Sequence, residues 1–249
     1  MRIVTDYDKH GDIYSRWSIK ETPYSALEWH TFLSVLGPVT DLSVLDVACG
    51  DGRLSRALMD LGAKSVLGTD ISQDMITAAI QKNQPNGAFY FEALDYQVID
   101  ARNPSFTLPE PVDLVTAMYL FHYASSTTDL DAMCHFAGRN LRPGGRFVCY
   151  TINPDYDFGR QDPRMAEMFG FRYEPISPPE YHLVIGDFEA SIWHWSREAH
   201  EEGLRAAGFE QIQWHSLALP DDKRDLAAAL QWYLDNPSLI VLSAQKTSG

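Results

Sequence analysis

Val44-Leu45-Asp46-Val47-Ala48-Cys49-Gly50-Asp51-Gly52 is where the reading of this chain begins. Its first half, from Ser43 to Ala48, is a short apolar run of the kind buried on both faces of a sheet. Its second half is a glycine loop. Gly50 and Gly52 carry no Cβ where the backbone turns sharply and a ligand must lie close. A helix is expected over Gly52–Leu61, closed by Gly62. A dinucleotide loop has a third glycine three positions on, where this chain has Ser55. Asp46, just before the loop, suits a cationic ligand better than a diphosphate.

Outward from the loop, strand and helix signals alternate. Ser65–Asp70 reads as a second strand with its helix over Ser72–Gln81, and Ala88–Ala93 as a third strand. Val112–Met118 reads as a fourth, followed by a helix over Thr128–Asn140. Arg146–Ile152 reads as a fifth, after the turn Pro143-Gly144-Gly145. Upstream, apolar residues recur at helical spacing over Tyr24–Leu36. Short links between such elements predict a parallel sheet with right-handed crossovers. Residues 153–191 break the rhythm with five prolines and many aromatics. Glu180–Ile185 and Phe188–Trp195 read there as an antiparallel pair turned at Gly186-Asp187. This stretch is expected to cap the active site, an edge elaboration being the alternative. A helix over Arg197–Ala207, a strand over Phe209–Leu219, a helix over Asp222–Leu234 and a strand over Ser238–Gln245 finish the chain. The two last strands suit a closing antiparallel pair.

Three acidic residues fall at successive strand ends in this reading: Asp46, Asp70 and Asp95. Those ends converge on one crevice in an open α/β sheet. A carboxylate at Asp70 suits the two hydroxyls of a ribose, and Asp95 stands where an adenine amino group would arrive.

Leu45–Gly52, Asp70, Asp95, Asp113–Met118 and Leu141-Arg142-Pro143-Gly144-Gly145 together resemble the motifs of class I S-adenosylmethionine-dependent methyltransferases, in order and spacing over residues 40–150. The resemblance implies a single α/β domain over residues 1–249. Its sheet would be Rossmann-like, with seven strands, mostly parallel with a terminal antiparallel strand and helices on both faces. Residues 1–36 would form an N-terminal lid and helix, and 153–191 a small aromatic-rich cap. The cofactor would be S-adenosyl-L-methionine, leaving as S-adenosyl-L-homocysteine. Asp46, Ala48, Cys49 and Gly50 would hold its methionine part, Asp70 the ribose and Asp95 the adenine. Ile71 and Met75 would pack on the purine, and Met118 and Tyr119 would lie beside the sulfonium. Tyr14, Gly52, Leu94 and Tyr96 complete the cofactor set that this resemblance implies.

Methyl transfer from a sulfonium needs placement and dryness more than a strong base. His122 and Tyr7 are the candidate catalytic residues. Tyr7, Trp17, Tyr119, His122, Tyr123, Tyr156, Tyr181 and Trp193 are candidate walls for a flat acceptor. Tyr7, Tyr14 and Trp17 are expected to fold over the crevice as a lid. The opening segment and the motif loop are also similar to bacterial small-molecule methyltransferases of secondary metabolism, including the N-methyltransferases of toxoflavin (azapteridine) biosynthesis. That similarity implies methylation of ring nitrogens on a planar heteroaromatic metabolite. An O- or C-methyltransferase of another small metabolite or carboxylate, and a non-catalytic cofactor-binding module, are the alternatives.

Bulk properties bound the partners. A formal net charge of −14 with no basic cluster disfavours nucleic acid and anionic membranes. The cysteines, Cys49, Cys134 and Cys149, form no metal-ligand or redox pair. No metal is expected, so transfer should survive EDTA. No apolar leader or membrane-length run is seen, which makes a cytoplasmic monomer or homodimer acting on a small molecule the expectation.

Overall fold

The computed structural model describes residues 7, 22–84 and 90–248. Helix α1, Pro23–Leu36, starts on a reciprocal cap. The Thr22 hydroxyl accepts from the Ser25 N–H at 3.0 Å, and the Ser25 hydroxyl accepts from the Thr22 N–H at 2.9 Å. Pro23 occupies the first turn, where its missing N–H costs nothing, and Gly37 ends the helix at φ 65°. The buried residues of α1, Tyr24, Leu27, Glu28, Thr31, Phe32 and Leu36, trace one stripe at three- and four-residue spacing.

The sheet follows: β1 Ser43–Val47, β2 Ser65–Asp70, β3 Leu94–Val98, β4 Val112–Met118, β5 Leu141–Ile152, then the cap strands β6 Arg172–Ser177, β7 Glu180–Ile185 and β8 Phe188–Trp193, and finally β9 Phe209–His215 and β10 Leu239–Lys246. The helices after α1 are α2 Arg53–Asp60, α3 Gln73–Lys82, α4 Thr127–Asn140, α5 Arg197–Ala206, α6 Arg224–Ala229 and α7 Gln231–Leu234. The seven main strands lie in the order β3-β2-β1-β4-β5-β10-β9. All neighbours from β3 to β5 are parallel, and β10 runs antiparallel between β5 and β9. This is the Rossmann-like, mostly parallel sheet expected, with its closing antiparallel pair. The chain winds outward from β1 to β3, returns to β4 and winds the other way. The order therefore reverses between β1 and β4, and a crevice opens at their C-terminal ends.

Alternate residues along the central strands feed two cores. Val44, Leu114, Val148 and Tyr150 join the stripe of α1 and the cap in one. Leu45, Val115, Ala117, Phe147 and Cys149 join Leu130, Met133 and Phe136 of α4 in the other. The cap strands pair β6-β7-β8 as a separate antiparallel sheet.

Four details correct the sequence reading. The third strand is Leu94–Val98, not Ala88–Ala93; residues 90–93 precede it as coil and turn, and 85–89 fall outside the described residues. The cap has a third strand, β6, hidden in the sequence by Pro175. That strand lies on the edge of its sheet, where a missing N–H is tolerated. The cap sheet also runs to Trp193, past residue 191. The helix expected over Asp222–Leu234 is broken at Leu230 into α6 and α7.

Candidate active site

Three adjoining cavities lie at the reversal point. The largest, of about 290 Å³, is bordered by Ala48, Gly50, Asp70, Ile71, Met75, Ile99, Asp100, Ala101, Met118 and Tyr119, with Tyr7, Tyr123, Ser191 and Trp193 at one end. A second reaches under α1 and is bordered by Tyr24, Glu28, Trp29, Asp46, Cys49, Arg53 and again Ala48, Gly50, Met118 and Tyr119. A third, apolar one lies under the cap, between Tyr7, Tyr24, Tyr119, His122, Tyr123, Ile152, Phe171, Leu183, Ile185 and Ile192. Tyr119 borders all three.

The loop is built to face these spaces. Ala48 and Tyr119, just past the ends of β1 and β4, both take positive φ, at 57° and 65°. That conformation costs a non-glycine residue roughly 1–2 kcal/mol, so the surrounding contacts enforce it. The Tyr119 N–H donates to the Tyr150 carbonyl at 2.8 Å. Gly50, at φ 55°, faces open space where a Cβ would stand. Gly52 does something else. A Cβ there would meet the Tyr96 hydroxyl at 2.2 Å, so Gly52 makes room for a packed tyrosine and does not border the cavities.

Asp46 is fully buried. Its Oδ2 accepts from Ser55 Oγ at 2.6 Å and its Oδ1 from Thr116 Oγ1 at 2.9 Å. Burial pushes its carboxyl up to about 6 against those two donors. Ser55, the residue in place of a third glycine, thus pins the acid that precedes the loop. Asp70 is held by two backbone donors, Gly50 N–H at 2.9 Å and Ser72 N–H at 2.8 Å. Its carboxylate is fixed to the loop and faces the largest cavity.

Asp95 does not stand at a strand end. It is the second residue of β3, exposed, and aligned with Leu67. Leu94 is core and Tyr96 packs beneath Gly52 and Gly68, so none of the three borders a cavity. The end of β3 delivers Ile99, Asp100 and Ala101 to that position instead, with Asp100 bracketed by the Arg102 guanidinium at 2.8–3.2 Å. Tyr14 and Trp17, expected with Tyr7 to form a lid, lie outside the described residues.

Of the acceptor candidates, Tyr7, Tyr119, His122, Tyr123 and Trp193 border the cavities. The Tyr7 and Tyr123 hydroxyls are hydrogen-bonded, and the Tyr7 ring lies 5.0 Å from Phe188 of the cap. Tyr156 and Tyr181 are core instead. Tyr181 stacks on Phe158 at 3.7 Å, and the Tyr156 hydroxyl points to Met165 Sδ. His122 is buried, with no partner for its Nδ1 among the described residues. Burial and nearby His200 push its imidazole down to about 3.

The sequence reading missed Glu28. It sits on the buried stripe of α1 and accepts a hydrogen bond from the Tyr119 hydroxyl. Burial pushes its carboxyl up to about 7 against the Tyr119 donor and the Arg53 charge. The signal was present: a glutamate at a position whose helical neighbours are Tyr24, Leu27, Thr31 and Phe32.

These residues fit a sulfonium nucleoside. A pinned carboxylate at Asp70 suits a diol, Ile71 and Met75 offer an apolar wall to a base, and Glu28, Asp46 and Arg53 suit a zwitterionic end.

A family model described as a methyltransferase domain matches residues 44–145, from β1 to the glycine turn of β5. The ubiquinone biosynthesis O-methyltransferase of Pseudomonas paraeruginosa is 32% identical over 111 residues, 45% of this chain and 44% of that protein. The chain therefore spans under half of that relative. The corresponding protein of Methylococcus capsulatus is 25% identical over 211 residues, 85% of this chain and 81% of that one. A crystal structure of an S-adenosylmethionine-dependent methyltransferase from Mesorhizobium loti superposes with a TM-score of 0.66 at 21% identity, over 90% of this chain and 100% of that one. Residues 44–145 therefore match a methyltransferase domain, and the fold is the one seen in solved S-adenosylmethionine-dependent methyltransferases. The expectation of ring-nitrogen methylation on a toxoflavin precursor is overturned. The named relatives transfer to oxygen. The expected aromatic wall also changes membership, because Tyr156 and Tyr181 are held in the cap core while Leu183, Ile185 and Ile192 line the cavity beside the remaining aromatics.

Proposed function

We propose that this protein transfers the methyl group of S-adenosylmethionine to an oxygen of a small, largely apolar acceptor. The observation that carries the reading is the shared wall. Ala48, Gly50, Met118 and Tyr119 border both the nucleoside-sized cleft and the space under α1, and Tyr119 also borders the apolar cavity. In this reading Asp70 holds the ribose, Ile71 and Met75 face Ile99–Ala101 across the base, and Asp100 meets its amino edge. Arg53 takes the carboxylate of the amino-acid end, and Asp46 faces its ammonium. When bound, the cofactor supplies an electrophilic methyl on a sulfonium.

The chain's residues then have three tasks. The cap residues Leu183, Ile185 and Ile192, with Tyr7, exclude water from the acceptor. The Tyr7–Tyr123 hydroxyl pair and His122 Nδ1 orient its polar group by hydrogen bonding. His122 is held neutral by burial and so adds no charge beside the acceptor. Oxygen as the acceptor is supported by the names of the sequence relatives. The test is methyl transfer from isotope-labelled S-adenosylmethionine to a panel of phenols, carboxylates and ring N–H heterocycles. Label in an ether or ester product is the expected result. Label in N-methyl products alone, or in none, would overturn it.

A further inference from the structure

Glu28, Tyr119, Tyr24 and Tyr150 form a buried hydroxyl network that the binding of a nucleoside does not explain. The Tyr119 hydroxyl bonds Glu28 and lies 3.0 Å from Tyr24 Oη, which lies 3.4 Å from Tyr150 Oη. Two secondary-structure elements, α1 and β5, and one left-handed residue, Tyr119, converge to assemble it. Such backbone strain in a non-glycine residue collects at functional sites. Tyr119 also borders all three cavities, so it adjoins both the donor and the acceptor spaces of the reading above.

We propose that Tyr119 takes the proton of the acceptor hydroxyl as its oxygen is methylated, and passes its own proton to Glu28. The proposal rests on the oxygen-acceptor reading above. The balance is closed. The carbon–oxygen bond forms as the carbon–sulfur bond breaks, with sulfur keeping the electron pair. The acceptor proton moves to Tyr119 Oη, and the Tyr119 proton moves to Glu28. One positive charge is lost at sulfur and one negative charge at Glu28, so the reacting groups carry no net charge before or after transfer. Tyr119 is the catalytic residue in this scheme, and Glu28 acts through it as a positioning residue and proton store.

His122 is the rival. It borders the same apolar cavity, but an imidazole pushed down to about 3 does not keep a proton at neutral pH. Glu28, pushed up to about 7, is matched to that task. The groups facing Glu28 are Tyr24 on its own helix, Arg53 at the start of α2, Tyr119 after β4, Tyr150 on β5 and Tyr233 on α7. Asp46 and Asp51 border the same space. Arg53 is the cation among them.

The test uses the full chain with Glu28→Gln, which keeps size and a hydrogen bond to Tyr119, and with Tyr119→Phe. In ligand-free protein, a carboxylic-acid carbonyl band should titrate near neutral pH and vanish in Glu28→Gln. With the oxygen acceptors found by the labelling panel, both variants should lose turnover by roughly tenfold or more. The loss should grow as the acceptor becomes less acidic, and the acid limb of the wild-type profile should disappear. An equal loss across acceptors would make the network structural and overturn the relay, as would an unchanged pH profile or the absence of the titrating band. If wild type labels no oxygen acceptor at all, the oxygen reading itself fails, which is a separate and recognisable result.

Discussion

Asp46 and Glu28 are buried carboxylates whose ionisation folding makes harder. Burial raises both, to about 6 and about 7. A raised carboxyl contributes stability that is fully present below its unfolded value and lost as pH rises through its folded one. The ligand-free protein should therefore lose stability between about pH 4 and 7, by roughly 3 kcal/mol per group at most. Glu28→Gln should flatten much of that slope in a series of thermal melts; an unchanged slope would show that Glu28 does not titrate there. Asp70 accepts from two backbone N–H groups at the edge of the largest cavity. Asp70→Ala removes two bonds to a ribose, roughly 1.5–3 kcal/mol each for charged groups. Calorimetric affinity for S-adenosylhomocysteine should fall by well over tenfold, and unchanged affinity would sink the ribose assignment. At this scale the sequence placed Asp46 just before the glycine loop and Asp70 at the end of the second strand, where the structure has them. It concealed Glu28, because the loop motif says nothing about which face of α1 lies against Tyr119.

The error at the third strand has a physical origin. The aromatic run Phe89-Tyr90-Phe91 has the composition of a buried strand, but Tyr90 is exposed and β3 starts at Leu94. As an edge strand, β3 buries Leu94 and Tyr96 and exposes Asp95, Gln97 and Val98, so its pattern is weak. The shift moved the strand end from Ala93 to Val98, and the acid expected there from Asp95 to Asp100. The strands buried on both faces, β1, β4 and β5, were readable because little but apolar residues can fill them. The element-level test concerns Gly52, which caps α2 at φ 79° over the Tyr96 hydroxyl. Gly52→Ala adds left-handed strain of roughly 1–2 kcal/mol to a clash. It should lower Tm by several degrees, and Gly52→Ala with Tyr96→Leu should recover part of the loss. Equal Tm for Gly52→Ala and wild type would refute the packing role.

The whole molecule divides labour between a rigid sheet and its covering. Residues at the reversal point are set by strands with cores on both faces, while the apolar cavity beside them is closed by the cap and by Tyr7. Long proline- and aromatic-rich insertions carry little periodic signal, so the cap's pairing was visible only where Gly186-Asp187 marks a hairpin. Its three-stranded form and the core roles of Tyr156 and Tyr181 were not. Tyr7 joins the two parts, bonded to Tyr123 and packed on Phe188. Tyr7→Ala should lower turnover while shifting Tm by no more than a few degrees, since it removes one half-buried ring. A large fall in Tm with turnover retained in the surviving fraction would make Tyr7 structural.

The claim on which the rest depends is that methyl donor and acceptor meet at Tyr119. A crystal structure with S-adenosylhomocysteine tests it directly. The account predicts the ribose on Asp70, the base between Met75 and Ala101, and the sulfur beside Ala48, Met118 and Tyr119, directed toward the cavity under the cap. A homocysteine sulfur directed away from that cavity, or a ligand bound elsewhere, would contradict it.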